Sequence, residues 1–460
     1  MKQTIAAIST ALNPSGIGIV RITGPEAMDV AYKVYRSKTG KKDIRKAASH
    51  TIHYGFIYDG EECVDEVLVM WMKAPRTYTG EDTLEINCHG GVLAVQKVLE
   101  AVLRAGARPA EPGEFTKKAF LNGKMDLSQA EAVMDVIESD SKYALQNSLS
   151  QLKGSLHDRI TKMRETILYH IAYIESALDD PEHISIDGYG EQLKEALLPV
   201  KDEVKKMIRS YGNGRLIRDG IRTVILGKPN AGKSSILNLM MGEDRAIVTD
   251  IAGTTRDVLE EQIMLGKVAL RLADTAGIRE TKDVVEKIGV DKAKQYASQA
   301  DLILFVVDSS TEFDQDDEDI LSSIRDKKYV VLLNKTDLEE KTSLELLREK
   351  TDRPILAFSA AEEKGLNELE ELLEQMFFAG EFSFDENITI TNSRHKAELE
   401  ETLQSIDLVL NSIEDQMPED FYSIDLMNAY EHLGNIIGES VGEDLVNEIF
   451  SKFCTGKWKR

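Results

Sequence analysis

The chain has 460 residues, room for two to four domains, and its 42% hydrophobic and 30% charged residues exclude a disordered or fibrous protein. No apolar run reaches membrane-spanning length, MKQTIAAISTALNPSG lacks the basic start and apolar stretch of a signal peptide, and the wide spacing of Cys63, Cys88 and Cys454 matches no zinc site or disulfide framework. That cysteine usage fits a reducing cytoplasm, and a net charge of −24 argues against broad, non-specific coating of nucleic acid while leaving room for a local basic patch.

Residues 1–118 read as an α+β domain. TIAAIST, GIGIVRIT and VLVMWMKA are strand-like runs separated by Gly, Pro and Asn. Gly90–Leu103 reads as a helix and APRTYTGEDTLEINCHGG as a loop feeding a strand. Residues 119–215 turn helical: no proline falls between Pro112 and Pro181, and Ile160, Met163, Ile167, Ile171, Ile174 and Leu178 recur at helical spacing. Residues 216–380 carry five apolar strands, IRTVILG, KVALRLAD, ADLILFVVD, KYVVLLNK and RPILAFSA, separated by helix-length segments. That pattern predicts a doubly wound α/β domain with a mostly parallel sheet. The acidic stretch TEFDQDDED within it reads as a solvated loop. Residues 381–460 return to long helices from about Asn392, interrupted only by Pro418. The fold class is therefore multidomain, α/β plus all-α, with the α/β domain inserted into the helical one at about Leu216 and Gly380. Termini of compact domains lie close together, so the host tolerates such an insertion. No internal repeat is present.

The inserted domain carries a nucleotide signature. Gly227-Lys228-Pro229-Asn230-Ala231-Gly232-Lys233-Ser234 matches GxxxxGK[ST] between a strand and a helix. The loop amides and the helix N-terminus would cradle phosphates, Lys233 would reach the β- and γ-phosphates, and Ser234 would hold Mg²⁺. Asn334-Lys335-Thr336-Asp337 ends a predicted strand, and the Asp337 carboxylate can accept from the N1–H and 2-amino group of guanine. Adenine lacks that pair of donors, so GTP is expected over ATP. Ser359 and Ala360, in Ser359-Ala360-Ala361, fit the loop that supports the base. Thr255 in Thr254-Thr255-Arg256-Asp257 is a candidate second hydroxyl ligand to Mg²⁺. Asp274-Thr275-Ala276-Gly277 is the element placed beside γ-phosphate and magnesium. Ile278 follows it where Ras-type enzymes have the glutamine that orients the attacking water, and isoleucine cannot hydrogen-bond.

These segments are similar to the MnmE (TrmE) family of tRNA modification GTPases. GKPNAGKSSILN, AIVTDIAGTTRD and DTAGIRETKDVVEKIGV carry the resemblance, as do EPGEFTKKAFLNGKMDLSQAEAVMD and the terminal FCTGK, so it covers essentially the whole chain. It implies a GTP-contacting set of Asn230, Ala231, Gly232, Lys233, Ser234 and Ser235, then Thr249, Asp250, Ile251, Ala252, Gly253, Thr254 and Thr255. Asp274, Thr275, Ala276, Gly277, Asn334, Lys335, Asp337, Ser359 and Ala360 complete that set. It implies potassium-stimulated hydrolysis, with K⁺ held by Asn230, Thr249, Ile251 and Thr254, and Glu286 orienting the water. It implies a first domain that dimerises and binds 5-formyl- or 5,10-methylene-tetrahydrofolate through Arg21, Glu85 and Lys124, joined by Lys457. Without the resemblance, Arg21, Glu85 and Lys124 read as surface ion pairs and Glu286 as a solvated carboxylate. Cys454 is a candidate catalytic thiol whose pKa Lys457 would lower. The tail departs from the family in reading Cys-Thr-Gly-Lys for the usual Cys-Ile-Gly-Lys, followed by Trp458-Lys459-Arg460.

The implied activity is GTP hydrolysis by a cytoplasmic homodimer that binds no membrane. With an FAD-dependent MnmG (GidA) type subunit, it installs an aminomethyl or carboxymethylaminomethyl group at carbon 5 of the tRNA wobble uridine. Two other readings share parts of the pattern: a ribosome-assembly GTPase of the Era or EngA type, and a folate-dependent transferase with a regulatory nucleotide domain. The Era type usually adds a KH module, and only helices are predicted after Gly380.

Overall fold

The computed structural model describes residues 3–38, 43–186, 188–242, 261–266, 268–272, 300–378, 389–418, 420–439, 442, 446–447 and 449–450. Thr249, Asp250, Ile251, Ala252, Gly253, Thr254, Thr255, Asp274, Thr275, Ala276, Gly277, Glu286, Cys454 and Lys457 lie outside the described residues.

The chain divides into two compact units, the first being Met1–Met134 with Ile437–Arg460. Its strands are β1 (Ile5–Ile8), β2 (Gly18–Thr23), β3 (Tyr35–Ser37), β4 (Thr51–Asp59), β5 (Glu62–Met72), β6 (Thr83–Cys88) and β7 (Arg108–Pro109). They form one sheet in the order β3-β4-β5-β6-β2-β1-β7, antiparallel except for β1 beside β7. Helices α1 (Ala27–Val34) and α2 (Val92–Arg104) bury Val30, Ala31, Val95, Val98 and Val102 in one core with Val20, Ile22, Ile86 and Trp71. This is the one-sided packing expected where strand residues alternate between core and solvent. Helix α3 (Glu114–Leu121) and the start of α4 (Leu127–Ile137) belong here as well. Leu127 and Ala130 pack with Val446 and Phe450, and the Phe120 and Phe450 rings lie 6.1 Å apart. The unit thus extends past residue 118, because this small cluster ties α3, α4 and residues 446–450 together.

The second unit, Asp135–Ile436, opens with α5 (Lys142–Leu152), α6 (Ser155–Asp179) and α7 (Tyr189–Asp219). The stripe on α6 buries Ile160, Met163, Ile167, Ile171 and Ile174. Leu178, expected on that stripe, is 46% exposed; in the last turn Ala177 takes the inward position instead.

The α/β part follows directly. Its elements are β8 (Ile221–Leu226), α8 (Lys233–Met240), β9 (Glu261–Leu265), β10 (Val268–Leu272), β11 (Leu302–Asp308), α9 (Gln315–Ile324), β12 (Tyr329–Asn334), α10 (Leu344–Lys350), β13 (Ile355–Ala357) and α11 (Leu366–Phe378). The sheet order is β13-β12-β11-β8-β10-β9, parallel except at β9. Every residue of β11 is buried, because Leu304 and Val306 enter one core and Ile303, Phe305 and Val307 the other. Strands covered by helices on both faces read as continuous apolar runs, which is why this one is plain in the sequence. β9 is an addition to the five strands expected. EQIML buries only Ile263 and Leu265 among its apolar residues and turns back at Gly266 (φ +60°) as an antiparallel edge, so no long apolar run marks it.

Helix α12 (Ser393–Glu414) begins at Asn392, whose side chain accepts from the Arg394 amide, and α13 (Asp420–Ile437) follows Pro418. The chain re-enters the helices beside its point of departure. Ile390 N donates to Ser210 Oγ at 3.0 Å, and Asn147 Nδ2 and Gln151 Nε2 donate to Thr389 O at 3.3 and 3.0 Å. Gly214 on α7 makes this approach possible, since a Cβ there would lie 2.0 Å from Ile390 O. Adjacent exit and return are the geometry of an inserted domain. Among the described residues no helix is long and apolar enough to cross a membrane.

Candidate functional site

Strand order in the parallel sheet reverses at β8: later strands build outward on both of its sides. Ligands of open α/β sheets bind outside the carboxyl ends of the strands at such a point. The phosphate loop leaves β8 there, Asp308 ends β11, Asn334 ends β12, and Ser359 follows β13.

The loop's shape depends on residues that tolerate unusual backbone. Gly227 has φ +150° and Gly232 φ +98°; a Cβ would lie 2.3 Å from Val306 O at the first and 2.1 Å from Asn334 Nδ2 at the second. Asn230 has φ +62°, a region that asparagine enters more readily than most side chains. Gly232 is the N-cap of α8, so the unpaired amides of that first turn, with the helix dipole, form an anion-binding end. Ala231 is buried, and Ser234 and Ser235 lie on the first turn of α8, both exposed. Lys233 Nζ donates to Gly227 O at 2.7 Å and Lys228 O at 2.6 Å, and burial brings its pKa down to about 8. A phosphate beside that ammonium would favour the charged form.

Asn334 joins the two halves of the site. It is buried, its Nδ2 donates to Ala231 O at 2.9 Å, and its Oδ1 accepts from the Ala360 amide at 3.2 Å. Lys335 (φ +64°) donates from Nζ to Asp308 Oδ2 at 2.5 Å, and its carbonyl accepts from Ser309 Oγ at 2.8 Å. Burial pulls the Asp308 carboxyl up, but bonds from Lys335 and Ser310 outweigh this and hold it below the usual carboxylate range. Asp337 is exposed, and its Oδ1 accepts from Ser359 Oγ at 2.6 Å.

The structure therefore gathers Asn230 to Ser235 with Asn334, Lys335, Asp337, Ser359 and Ala360 at one edge of the sheet. Sequence reasoning missed four residues that brace this edge: Lys228, Asp308, Asp314 and Asp317. Asp308 had a signal, since it ends an apolar strand next to the one ending in Asn334. The acidic stretch TEFDQDDED, expected as a solvated loop, instead runs into a helix and buries one of its carboxylates. Asp314 and Asp317 form a capping box at the start of α9, and Asp317 is 1% exposed. Both carboxylates pair with Lys228, which is what allows the second to be buried.

In the first unit, Arg21 and Glu85 are register partners on β2 and β6, and Arg21 Nε donates to Glu85 Oε1 at 2.8 Å. The Arg21 guanidinium lies 5.7 Å from the Tyr78 ring centroid and 5.6 Å from that of Phe115. Lys124 does not join the pair; its Nζ donates to Pro75 O at 3.2 Å, and its stem lies against Gly80. The segment 75–80 links the two places, touching Lys124 through Pro75 and Arg21 through Tyr78.

A phosphate loop at the switch point of a parallel sheet, stitched by Asn334 to an Asn-Lys-Thr-Asp base loop, defines a P-loop protein for guanine nucleotides. A model of the MnmE helical domain matches residues 127–454, and a model of the GTP-binding protein TrmE N-terminus matches residues 4–124. The chain is 56% identical over 455 residues to the tRNA modification GTPase MnmE of Lachnoclostridium phytofermentans, covering 99% of each chain. It is 46% identical over 459 residues to that of Bacillus subtilis, covering 99% of this chain and all of that one. A solved structure of Aquifex aeolicus Era bound to GDP and AlF4⁻ is 32% identical, covers 41% of this chain and 67% of that one, and gives a TM-score of 0.26, too low to bear on the architecture. The chain belongs to the MnmE family.

Proposed function

We propose that this chain hydrolyses GTP in the modification of tRNA. It acts with an FAD-dependent subunit of the MnmG (GidA) type at carbon 5 of the wobble uridine and draws the carbon from 5-formyl- or 5,10-methylene-tetrahydrofolate. The observation that carries the reading is likeness to MnmE relatives along the full chain, so that the first unit and the helices are included. A ribosome-assembly role of the Era or EngA type accounts for the inserted domain alone.

In this reading Lys233 leaves the carbonyls of Gly227 and Lys228 for the β- and γ-phosphates, and the amides at the start of α8 hold the phosphate oxygens. Ser234 and Thr255 supply the hydroxyls that hold Mg²⁺, which offsets phosphate charge when bound. Asn334 fixes both loops, and Asp337 reads the guanine edge. Asn230, Thr249, Ile251 and Thr254 enclose K⁺, and Glu286 orients the water in place of the glutamine absent at Ile278. Arg21, Glu85, Lys124 and Lys457 hold the folate; the cationic side chains suit its glutamate carboxylates, and Cys454 lies on the same tail as Lys457. Homodimerisation through the first unit is supported by an apolar strip on its sheet. Ile52 and Tyr54 of β4 and Leu68 of β5 lie on one face and are 62%, 40% and 47% exposed. A cytoplasmic location follows from the substrates.

Two measurements test this. Bulk tRNA from cells lacking the gene is expected to lose its carbon-5-modified wobble uridines, and an unchanged nucleoside profile overturns the tRNA role. GTP turnover is expected to be faster in KCl than in NaCl at equal ionic strength, with Asn230→Ala removing the difference. Equal rates of the unmodified chain in both salts rule out the potassium site.

A further inference from the structure

The phosphate loop carries a second lysine for which nucleotide chemistry has no use. Lys228 Nζ lies 2.9 Å from Asp314 Oδ2 and 2.6 Å from Asp317 Oδ2, and its side chain is only 16% exposed. We propose that Lys228, anchored by Asp314 and Asp317, is a positioning residue that holds the phosphate loop in the shape that receives the nucleotide. Its loss weakens binding of GDP and GTP alike and leaves the chemical step nearly unchanged. The inference rests on the reading of this edge as a GTP site.

The anchor is rigid. Asp314 Oδ1 accepts from the amides of Asp316 and Asp317 at 3.1 and 3.3 Å, and the Asp314 amide donates to Asp317 Oδ2 at 3.3 Å. A reciprocal cap of this kind fixes both carboxylates to the first turn of α9, where the helix dipole also favours negative charge. Asp317 has one oxygen on this network and a second, Oδ1, with no hydrogen-bond partner. A carboxylate buried to that degree stays charged only beside a cation, so Lys228 and α9 are held together strongly. Exposed ion pairs contribute little, but only Asp314, at 55% exposure, falls in that class.

The anchored residue is also the one whose carbonyl holds Lys233 at 2.6 Å. Its neighbours Gly227 and Asn230 both sit at positive φ. Such positions persist when surrounding contacts over-determine them. Lys228 supplies one such contact from outside the loop, and without it the loop is free to relax away from the arrangement that presents amides and Lys233 to phosphate.

The test compares the full chain with Lys228→Met, Lys228→Arg and Asp317→Asn, titrating a fluorescent GDP and GTP and following single-turnover hydrolysis at saturating GTP. Lys228→Met and Asp317→Asn are expected to raise Kd for both nucleotides about tenfold, as fits one lost charge-assisted bond. Single-turnover rates at saturation are expected to stay within about twofold, since a contact equal in ground and transition state leaves kcat alone. Lys228→Arg is expected to keep most of the affinity, because a guanidinium also pairs with two carboxylates. A merely structural pair would lower the melting temperature and leave the Kd of the folded protein as it was, and that result overturns the proposal. A fall in the saturated rate with Kd intact overturns it equally. If Lys228→Met does not fold, Asp314→Asn at the exposed anchor is read in the same way, with a smaller rise in Kd expected and an unchanged Kd decisive against. Failure of the unmodified chain to bind either nucleotide removes the GTP reading itself.

Discussion

Gly232→Ala is expected to reduce affinity for GTP and GDP by roughly 30- to 4,000-fold, the largest loss foreseen for one added methyl group. The Cβ would meet Asn334 Nδ2 at 2.1 Å, and Gly232 already sits at φ +98°. An L side chain in the left-handed region costs about 1–2 kcal/mol, and displacing a buried amide from its partners costs about 1–3 kcal/mol more. Together these give about 2–5 kcal/mol, or roughly 30- to 4,000-fold at about 1.4 kcal/mol per decade. Asn334 has nowhere to retreat without releasing Ala231 O or the Ala360 amide, so the damage spreads from the phosphate side to the base side. Equilibrium titration with both nucleotides checks this, beside thermal unfolding. Gly212→Ala is the control: a methyl group added there would have nothing within 4 Å, and affinity is expected to hold. An unaltered Kd for Gly232→Ala would mean that Asn334 does not clamp the two loops.

The parts of the fold legible in the sequence are those with a strong period or a long apolar run. β11 and β12 are buried on both faces, and α6 has a stripe that stays in phase for five residues, Ile160 to Ile174. β9 is hidden in the sequence because an edge strand needs only Ile263 and Leu265 inside. Gly214 reads like any helical glycine, and its purpose lies in Ile390 O, far along the chain. Composition says how much of a segment is charged, not what those charges face. The stretch from Thr311 to Asp319 reads as solvated for that reason, although Lys228 draws Asp317 into the interior. The site follows the same division. Motif spacing points to Lys233, Asn334 and Asp337 because phosphate and guanine impose fixed demands. The braces, Asp308 under Lys335 and Asp314 with Asp317 beside Lys228, answer to the protein's own geometry, and no ligand sets their spacing.

Asp337→Asn is expected to lower GTP affinity by about 10²–10⁴-fold and to turn preference toward xanthosine triphosphate. Guanine offers two donors on one edge, N1–H and the 2-amino group, and a carboxylate is an acceptor on both oxygens. Ser359 Oγ donates to Asp337 Oδ1 at 2.6 Å, which orients the carboxylate and leaves lone pairs on both oxygens. An amide in its place keeps one acceptor and turns the other position into a donor, which meets the guanine 2-amino group donor to donor. Xanthine carries a carbonyl at that position, so the same amide can donate to it while still accepting from N1–H. Hydrogen bonds to a charged group contribute about 1.5–3 kcal/mol each, and two of them account for the expected range. The substitution leaves the phosphate loop untouched, so Lys233 and the α8 amides are expected to serve the xanthine nucleotide as they would GTP. Competition titration of both triphosphates against a fluorescent GDP, on the unmodified chain and on Asp337→Asn, measures the ratio of affinities. A variant that still prefers GTP by its original factor would place base recognition away from Asp337, with the Ser359–Ala360 backbone as the remaining candidate on this edge.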